Sequence, residues 1–221
     1  MITAIALLAS NLCPLVQQAF DDAEAAPPPR EVDGIMGVPI DIQSLSGSLT
    51  FNLKERSKKA TADMVFRTTG AGGFPIFDLR QEIKSAMLDM KPIDPASMAA
   101  HDFGPRSGSM RILQHEVRPN TNCILHLEYE LNRPDAPSAR GALKRENGLF
   151  FSTNFTDLTP GRYLEQWFPS NLIYDRFSFE LELKLEEARH KHLLITNAEV
   201  EKLGRHHWRL RWPQHTTAFS P

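Results

Sequence analysis

The sequence contains one histidine–glutamate pair of the kind that could open a zinc-peptidase motif. His115 and Glu116 are adjacent, but the residue four positions after His115 is Pro119 and not a second histidine. A peptidase zinc site needs two histidines one helical turn apart, with a glutamate beside the first. The surrounding pattern instead predicts a strand over 111–117, where consecutive side chains point to opposite faces. The pair therefore predicts no catalytic zinc.

Two further histidine pairs lie near the C-terminal end. His190 and His192 are two residues apart, so on a strand they would share a face and could chelate a metal ion. The alternative is a solvated turn, which the charged EEAR sequence before them favours. His206 and His207 would point apart on a strand. No set of three convergent ligands is visible, so we expect no bound metal and no cofactor.

The segment HHWRLRW at 206–212 places tryptophans and arginines on alternate positions. Such a stripe can stack bases or sugars. At strand spacing, the pattern favours a different interpretation, with Trp208, Leu210 and Trp212 in a core and Arg209 and Arg211 in water.

Other catalytic motifs are also missing. Cys13 lies in an apolar segment and Cys123 opens a predicted strand, and no G-x-S-x-G elbow is present. The glycine cluster TTGAGGF at 68–74 lacks the lysine and the spacing of a phosphate-binding loop, so it is interpreted as a turn. We therefore predict that the chain, as it stands, is not an enzyme.

The clearest structural signal is a period of two from residue 177 to 186. Apolar and polar residues alternate over ten positions, which is typical of a strand with one buried face. The predicted buried face consists of Phe177, Phe179, Leu181, Leu183 and Leu185. We expect this strand to lie in an antiparallel sheet, packed near Leu125, Leu127 and Tyr129. The aromatic residues around Pro169 predict an irregular turn or short helix that leads into the strand.

Several other segments alternate in the same way. Residues 49–53 and 62–66 flank the charged run KERSKK and predict a hairpin. Further strands are predicted over 123–131, 192–201 and 206–212, and a long loop over 91–109. The predicted fold class is all-β, either an antiparallel β-sandwich or a saddle-shaped sheet, with a short N-terminal helix.

The N-terminal residues differ from the rest of the chain. The segment from Ile2 to Val16 is apolar, and residues 1–25 are predicted to form an amphipathic helix. The alternative is a weak signal-like segment, although no lysine or arginine precedes the apolar run. Residues 26–37 contain Pro27-Pro28-Pro29 and are interpreted as a linker. Residues 38–221 then form one β domain.

The composition of the chain argues against nucleic acid as a partner and against a membrane span. With 41% hydrophobic and 24% charged residues and a net charge of −2, the chain is typical of a globular protein that does not bind nucleic acid. No apolar run is long enough to span a membrane. The two cysteines are interpreted as reduced thiols, which favours a cytoplasmic location, with secretion through the N-terminal segment as the alternative.

Several of these segments resemble the N-terminal domain of the aminopeptidase N family of zinc metallopeptidases, which includes the leukotriene hydrolases. In that family, a Phe-Pro segment precedes a polar turn, a long alternating strand, and then a tryptophan-containing strand. The counterparts here are Phe168-Pro169, residues 177–186, LLITNAEVEKLG at 193–204 and HHWRLRW at 206–212. Upstream, SGSLTFNL, FDLRQEIKSAMLDM and NGLFFSTNFTD resemble other segments of that domain. The resemblance covers roughly residues 38–221.

The resemblance implies a module without the catalytic domain. In the family, the N-terminal domain lends a carboxylate to the peptide amine, but the matching position here is Pro160-Gly161. Glu165 lies out of register, so that role is not carried over. We therefore expect a non-catalytic module that acts in binding or scaffolding. The alternative is the N-terminal portion of a zinc aminopeptidase whose catalytic domain lies beyond residue 221 or on another chain.

The same resemblance implies a protein partner. In the related enzymes, the strand matching 206–212 leads into the catalytic domain. An interaction patch is therefore predicted around Trp167, Tyr174, Trp212 and Phe219. The N-terminal helix is expected either to fold over this patch or to pair two chains into a homodimer.

Overall fold

The computed structural model describes residues 30–32, 34–55, 57–68, 72–98, 100–101, 110–131, 142–145, 148–151, 164–171 and 177–212. These residues form fourteen strands and two short 3-10 helices, at Pro95–Met98 and Leu164–Gln166. The strands are β1 (Arg30–Val32), β2 (Ile35–Asn52), β3 (Ser57–Thr68), β4 (Phe74–Asp78), β5 (Ile83–Leu88), β6 (Lys91–Ile93), β7 (Ala100–His101), β8 (Met110–Ile112), β9 (Cys123–Glu130), β10 (Ala142–Arg145), β11 (Gly148–Phe151), β12 (Ser178–Glu186), β13 (Glu199–Gly204) and β14 (His207–Trp212). The predicted all-β class is confirmed.

Strand β2, with 18 residues, connects the two parts of one open sheet. Its second half lies in the order β13-β14-β12-β2-β3-β9-β5-β6, so β13 and β6 are the end strands. Its first half pairs with β1 and β4, and β4 continues through β8 to β7. Strands β10 and β11 pair as a separate hairpin.

The sheet is mixed, whereas the sequence predicted an antiparallel one. Strand β12 runs parallel to β2 over nine residue pairs, and β4 also runs parallel to β2. A tight hairpin forces neighbouring strands to be antiparallel, but a long connection does not. Strand β12 reaches β2 from a distant part of the sequence, so alternation within the strand contained no information on its direction.

The core lies on one face of the sheet and includes the predicted face of β12. Phe177, Phe179 and Leu181 are buried, and Leu183 and Leu185 are half-buried against the same cluster. That cluster also contains the predicted β9 face, formed by Leu125, Leu127 and Tyr129, and the β14 face, formed by Trp208, Leu210 and Trp212. Burial of each large apolar side chain stabilises the fold by roughly 1.5–3 kcal/mol. Both the register of β12 and the core location of the tryptophan stripe are confirmed.

The predicted β2–β3 hairpin is also confirmed. Asn52 pairs with Ser57, and the register continues to Ile40 opposite Thr68, with an irregularity between Ile42 and Ser44. The Asn52 Oδ1 atom accepts hydrogen bonds from the backbone N–H groups of Lys54 and Glu55, at 3.1 and 2.9 Å. This side-chain turn satisfies backbone donors where the chain reverses direction.

Three segments differ from the prediction. Strand β8 ends at Ile112, because the chain turns sharply there and the His115 N–H donates to the Leu113 carbonyl at 2.7 Å. Strand β13 begins at Glu199, seven residues later than predicted. The predicted loop over 91–109 contains β6, the first 3-10 helix and β7.

The predicted N-terminal helix over 1–25 lies outside the described residues. Strand β1 and the first residues of β2 fall within the stretch interpreted as the 26–37 linker. The described β structure therefore begins at Arg30, and the division of the chain at residues 25 and 37 stays a prediction.

Candidate interaction surface

The structure buries the two described members of the predicted interaction patch. Trp167 is fully buried, and its ring centre lies 6.1 Å from that of Phe179. The Trp212 ring stacks on Phe179, with the two ring centres 5.0 Å apart and an interplanar angle of 14°. Its indole N–H donates to the Asn197 Oδ1 atom at 2.9 Å. Trp167 and Trp212 thus join one aromatic core.

Tyr174 and Phe219, the other two members, lie outside the described residues. The patch around all four therefore stays a prediction. Within the described residues, an interface at this place cannot use the tryptophan rings, because the chain's own core already covers them.

Hydrogen bonds to the main chain of the 164–171 segment hold it in place. The Tyr129 hydroxyl donates to the Trp167 carbonyl at 2.9 Å, which satisfies a polar group inside the core. Asp78 and Ser170 exchange two backbone hydrogen bonds, at 2.7 and 2.9 Å. The segment is therefore an integral layer of the fold and not a free turn.

Glu165 has a structural environment that accounts for its charge. Its carboxylate is buried and lies 3.6 Å from the Arg80 Nε atom. The backbone N–H of Arg80 also donates to the backbone carbonyl of Glu165, at 2.7 Å. A buried carboxylate needs a cationic partner, and Arg80 provides it. This pairing supports leaving the amine-binding role unassigned at this position.

Arg111 is a second buried charge, and it links the β4–β5 connection to the end of the first 3-10 helix. Its guanidinium donates to the carbonyls of Leu79, Met98 and Gln81, at 2.8, 2.6 and 2.6 Å. Burial lowers the pKa of Arg111, while the nearby Asp78 acts in the opposite direction. The planar fork of an arginine suits several fixed acceptors at once. We interpret this residue as structural.

The outer face of the sheet carries a network of ion pairs across β12, β14 and β13. Arg209 pairs with Glu182 at 2.6 Å, and Arg211 pairs with Glu180 at 2.7 Å. Both arginines also reach Glu201, at 3.3 and 3.1 Å. The hydrogen bond from Arg209 and a weaker one from His207 lower the pKa of Glu182. These residues are consistent with a solvated face, as the alternation predicted.

His115, His190 and His192 lie in turns and loops, and the exposed positions of His190 and His192 agree with the favoured interpretation of a solvated turn. His115 lies in the turn after β8, and His190 and His192 lie in the loop after β12 rather than on a strand. His192 instead approaches His206, with ring centres 5.6 Å apart. Within the described part of the chain, no group of three or more histidine, cysteine, aspartate or glutamate side chains could hold a metal ion.

His206 lies in the turn between β13 and β14. Its carbonyl accepts a hydrogen bond from the Leu185 N–H at 2.9 Å, so its backbone is fixed to the end of β12. Burial lowers the pKa of His206, and the positive charges of Arg205 and Lys202 lower it further. The backbone of Ala188 acts more weakly in the opposite direction.

Four exposed apolar side chains lie on β13, an end strand of the described sheet, and on the segment that precedes it. We call this group the edge strip, and it consists of Leu193, Ile195, Val200 and Leu203. Leu193 and Ile195 are 84% and 77% exposed, while Leu194 and Ala198 between and after them pack on the core. Leu194 and Ala198 therefore anchor the 193–198 segment to the core, while Leu193 and Ile195 are exposed to solvent. Exposed groups of this kind mark interaction sites more often than isolated apolar residues do.

Sequence reasoning missed the edge strip for a definite reason. The run Leu193-Leu194-Ile195 is apolar at consecutive positions, so it gives no alternation from which to separate inner and outer faces. The strip also depends on β13 being an end strand of the described sheet, which local sequence does not show.

No family model matches this sequence, and no curated protein matches it. The fold, in contrast, matches solved structures. Native leukotriene A4 hydrolase from Saccharomyces cerevisiae aligns with a TM-score of 0.59 and 9% identity, over 80% of this chain and 28% of that chain. An M1 zinc metallopeptidase from Deinococcus radiodurans aligns with a TM-score of 0.54 and 13% identity, over 80% of this chain and 39% of that chain. The chain has the fold of the N-terminal, non-catalytic part of M1 zinc metallopeptidases.

The M1-like fold confirms the resemblance predicted from the Phe-Pro segment and the strands after it. The identities of 9% and 13% establish the fold alone. The chain spans less than half the length of the structures that it matches, and it matches only one part of them. No described helix is long and apolar enough to cross a membrane.

Proposed function

We propose that this chain is a non-catalytic β module that acts by binding a protein partner or by scaffolding. The observation that carries the proposal is the edge strip, in which Leu193 and Ile195 are exposed on a segment anchored to the core. The M1-like fold supports it, because only part of each matched enzyme corresponds to this chain. We further propose a cytoplasmic setting, which the free, buried thiol of Cys123 supports.

A double variant, Leu193→Ser with Ile195→Ser, tests the binding role. Both side chains are exposed, so their replacement leaves the core intact. Cross-linking in the native cell, followed by isolation of the chain, should recover a partner with the wild type and lose it with the double variant. Met90→Ser is the matched control, because Met90 is equally exposed but lies in the β5–β6 turn. Recovery that is unaffected by the double variant would argue against the edge strip as the binding surface.

A second candidate function is the N-terminal portion of a zinc aminopeptidase. The observation in its favour is that the match covers only 28–39% of the enzymes named above. The coding sequence downstream of residue 221 separates the two candidates. A continuous reading frame that encodes an H-E-x-x-H helix would support the aminopeptidase.

The purified 221-residue chain provides an independent check on catalysis. We expect no hydrolysis of aminoacyl substrates with or without added zinc, because no described group supplies three convergent ligands. Hydrolysis that a chelator abolishes would overturn the non-catalytic assignment.

A further inference from the structure

The loop after β12 and the β13–β14 turn meet at one end of the sheet, and each contributes one imidazole. We infer that His192 and His206 form an exchangeable site for a borderline divalent transition-metal ion such as Cu²⁺, Ni²⁺ or Zn²⁺. Imidazole nitrogens suit these ions, whereas Mg²⁺ and Ca²⁺ prefer oxygen ligands. This site is independent of the proposed binding role.

The orientation of His192 suits a ligand. Its Nδ1 atom lies 3.0 Å from the His190 carbonyl, and a carbonyl can only accept, so Nδ1 carries the proton. With a proton placed on Nδ1, Nε2 is the ring nitrogen that a metal ion can use. A backbone carbonyl that fixes the tautomer in this way is a common feature around metal-ligating histidines.

His206 contributes two buried ring nitrogens, of which the Ala188 backbone can satisfy one at most. Both ring nitrogens are buried, and neither has a hydrogen-bond partner of good geometry. Buried polar atoms are nearly always satisfied, so such an atom calls for an explanation. A metal ion held between His206 and His192 would give such a nitrogen a partner.

The separation of the two rings matches coordination of one ion. Their centres are 5.6 Å apart at an interplanar angle of 82°. A tetrahedral ion about 2.1 Å from one nitrogen of each ring would place the ring centres about 5–6 Å apart. The fixed His206 backbone and the pre-oriented His192 ring reduce the rearrangement that binding requires.

Two protein ligands leave the other coordination positions open. Structural zinc sites use four protein ligands and hold the ion through purification. A site with two ligands exchanges its ion with solvent and accepts water or a further donor. We therefore expect binding at micromolar rather than trace concentrations of free ion, and loss of the ion on dialysis against a chelator.

The experiment uses the full, tag-free chain after removal of metal by a chelator. Cu²⁺ is titrated while tryptophan fluorescence is followed, because the Trp208 ring lies 6.4 Å from the His206 ring and bound Cu²⁺ quenches a nearby indole. Calorimetry with Ni²⁺ gives the stoichiometry, with one ion per chain expected. His192→Ala and His206→Ala should each weaken binding by about tenfold or more, because a single imidazole cannot chelate.

Two neighbouring histidines provide matched controls. His207 pairs with Glu182 on the outer face, at 3.4 Å, so His207→Ala should bind as the wild type does. His190 contributes its carbonyl to His192, so His190→Ala should also retain binding. Equal quenching in the wild type and in His192→Ala would contradict the assignment. A loss of metal affinity in His207→Ala as large as that in His206→Ala would also contradict it. Circular dichroism checks folding of each variant, and the exposed His192 remains decisive if His206→Ala does not fold.

Discussion

The aromatic ring of Phe168 lies directly against Gly47, and a Cβ atom at residue 47 would come within 2.5 Å of the Phe168 Cζ atom. The same Cβ would also meet the Thr61 carbonyl of the neighbouring strand. Gly47 is in the middle of β2, and Phe168 belongs to the Phe-Pro segment that covers it. This contact is therefore where the 164–171 layer closes over the sheet.

Gly47→Ala should destabilise the fold because the added methyl group meets a backbone carbonyl that cannot move freely. Overpacking of a core typically costs about 1–3 kcal/mol, and we expect the upper part of that range. Urea denaturation measures the free energy of unfolding. Gly204→Ala is the control, since its Cβ would be 3.6 Å from the His207 Cβ, an ordinary contact. A Gly47→Ala chain as stable as Gly204→Ala would show that the 164–171 layer does not pack as described.

Arg111→Met should be more destabilising than removal of a surface arginine. The variant leaves the Leu79, Met98 and Gln81 carbonyls without their donor in a buried place. An unsatisfied buried acceptor costs about 1–3 kcal/mol, so we expect a total loss of about 3 kcal/mol or more. The thermal midpoint and the urea midpoint should both fall.

Arg67→Met is the control for that experiment. Arg67 pairs with Asp41 at 2.7 Å on the surface, where an ion pair contributes less than about 1 kcal/mol. Similar losses in the two variants would contradict the assignment of Arg111 as a buried structural link.

The sequence predicted the parts of this fold that depend on local periodicity. Strand β12, the β2–β3 hairpin and the Trp208-Leu210-Trp212 core face all follow from alternation over consecutive residues. The parallel pairing of β12 with β2 does not, because it depends on which distant strands meet. Local sequence carries little information on that choice.

The candidate sites were harder to predict for the same reason. The approach of His192 to His206 joins a loop to a turn that alternation does not connect. The two tryptophans of the predicted patch, Trp167 and Trp212, illustrate a different difficulty. Both rings looked suitable for an interface, but large aromatic side chains are equally suited to a core, and composition does not distinguish the two environments.

Acid should weaken the ion-pair network on the outer face of the sheet. The pKa of Glu182 is lowered in the folded chain, so its carboxylate stabilises the fold above the ordinary glutamate pKa of 4.5. That contribution is lost as the pH falls below 4.5 and through the folded-state pKa. Since the Glu182 side chain is 38% exposed, solvent screening keeps the effect below about 1 kcal/mol.

Urea midpoints measured between pH 7 and pH 3 check this expectation. Glu182→Gln should show a shallower decline in stability than the wild type, and added salt should reduce the difference between them. Glu116→Gln, in the turn after β8, serves as the control and should decline as the wild type does. Parallel curves for the wild type and Glu182→Gln would rule out a folded-state shift at this residue.

The edge strip should govern association of the isolated chain. Leu193 and Ile195 are exposed on a segment whose inner side chains are anchored, so their burial requires another surface rather than a change of fold. We expect light scattering to show concentration-dependent association of the wild type, and the Leu193→Ser, Ile195→Ser double variant to remain monomeric at the same concentrations. The free energy of unfolding should change by less than about 0.5 kcal/mol, since the replaced side chains lie outside the core.

Two comparisons distinguish association through the edge strip from association through the N-terminal residues and from nonspecific hydrophobic association. A chain that starts at Arg30 tests whether residues 1–29 cover the strip or pair two chains, and its association should exceed the full chain's if they cover it. Met90→Ser should associate as the wild type does, because Met90 lies in the β5–β6 turn, away from β13. If the wild type, the double variant and the shortened chain are all monomeric and bind a hydrophobic dye equally, the strip does not act as an interaction surface.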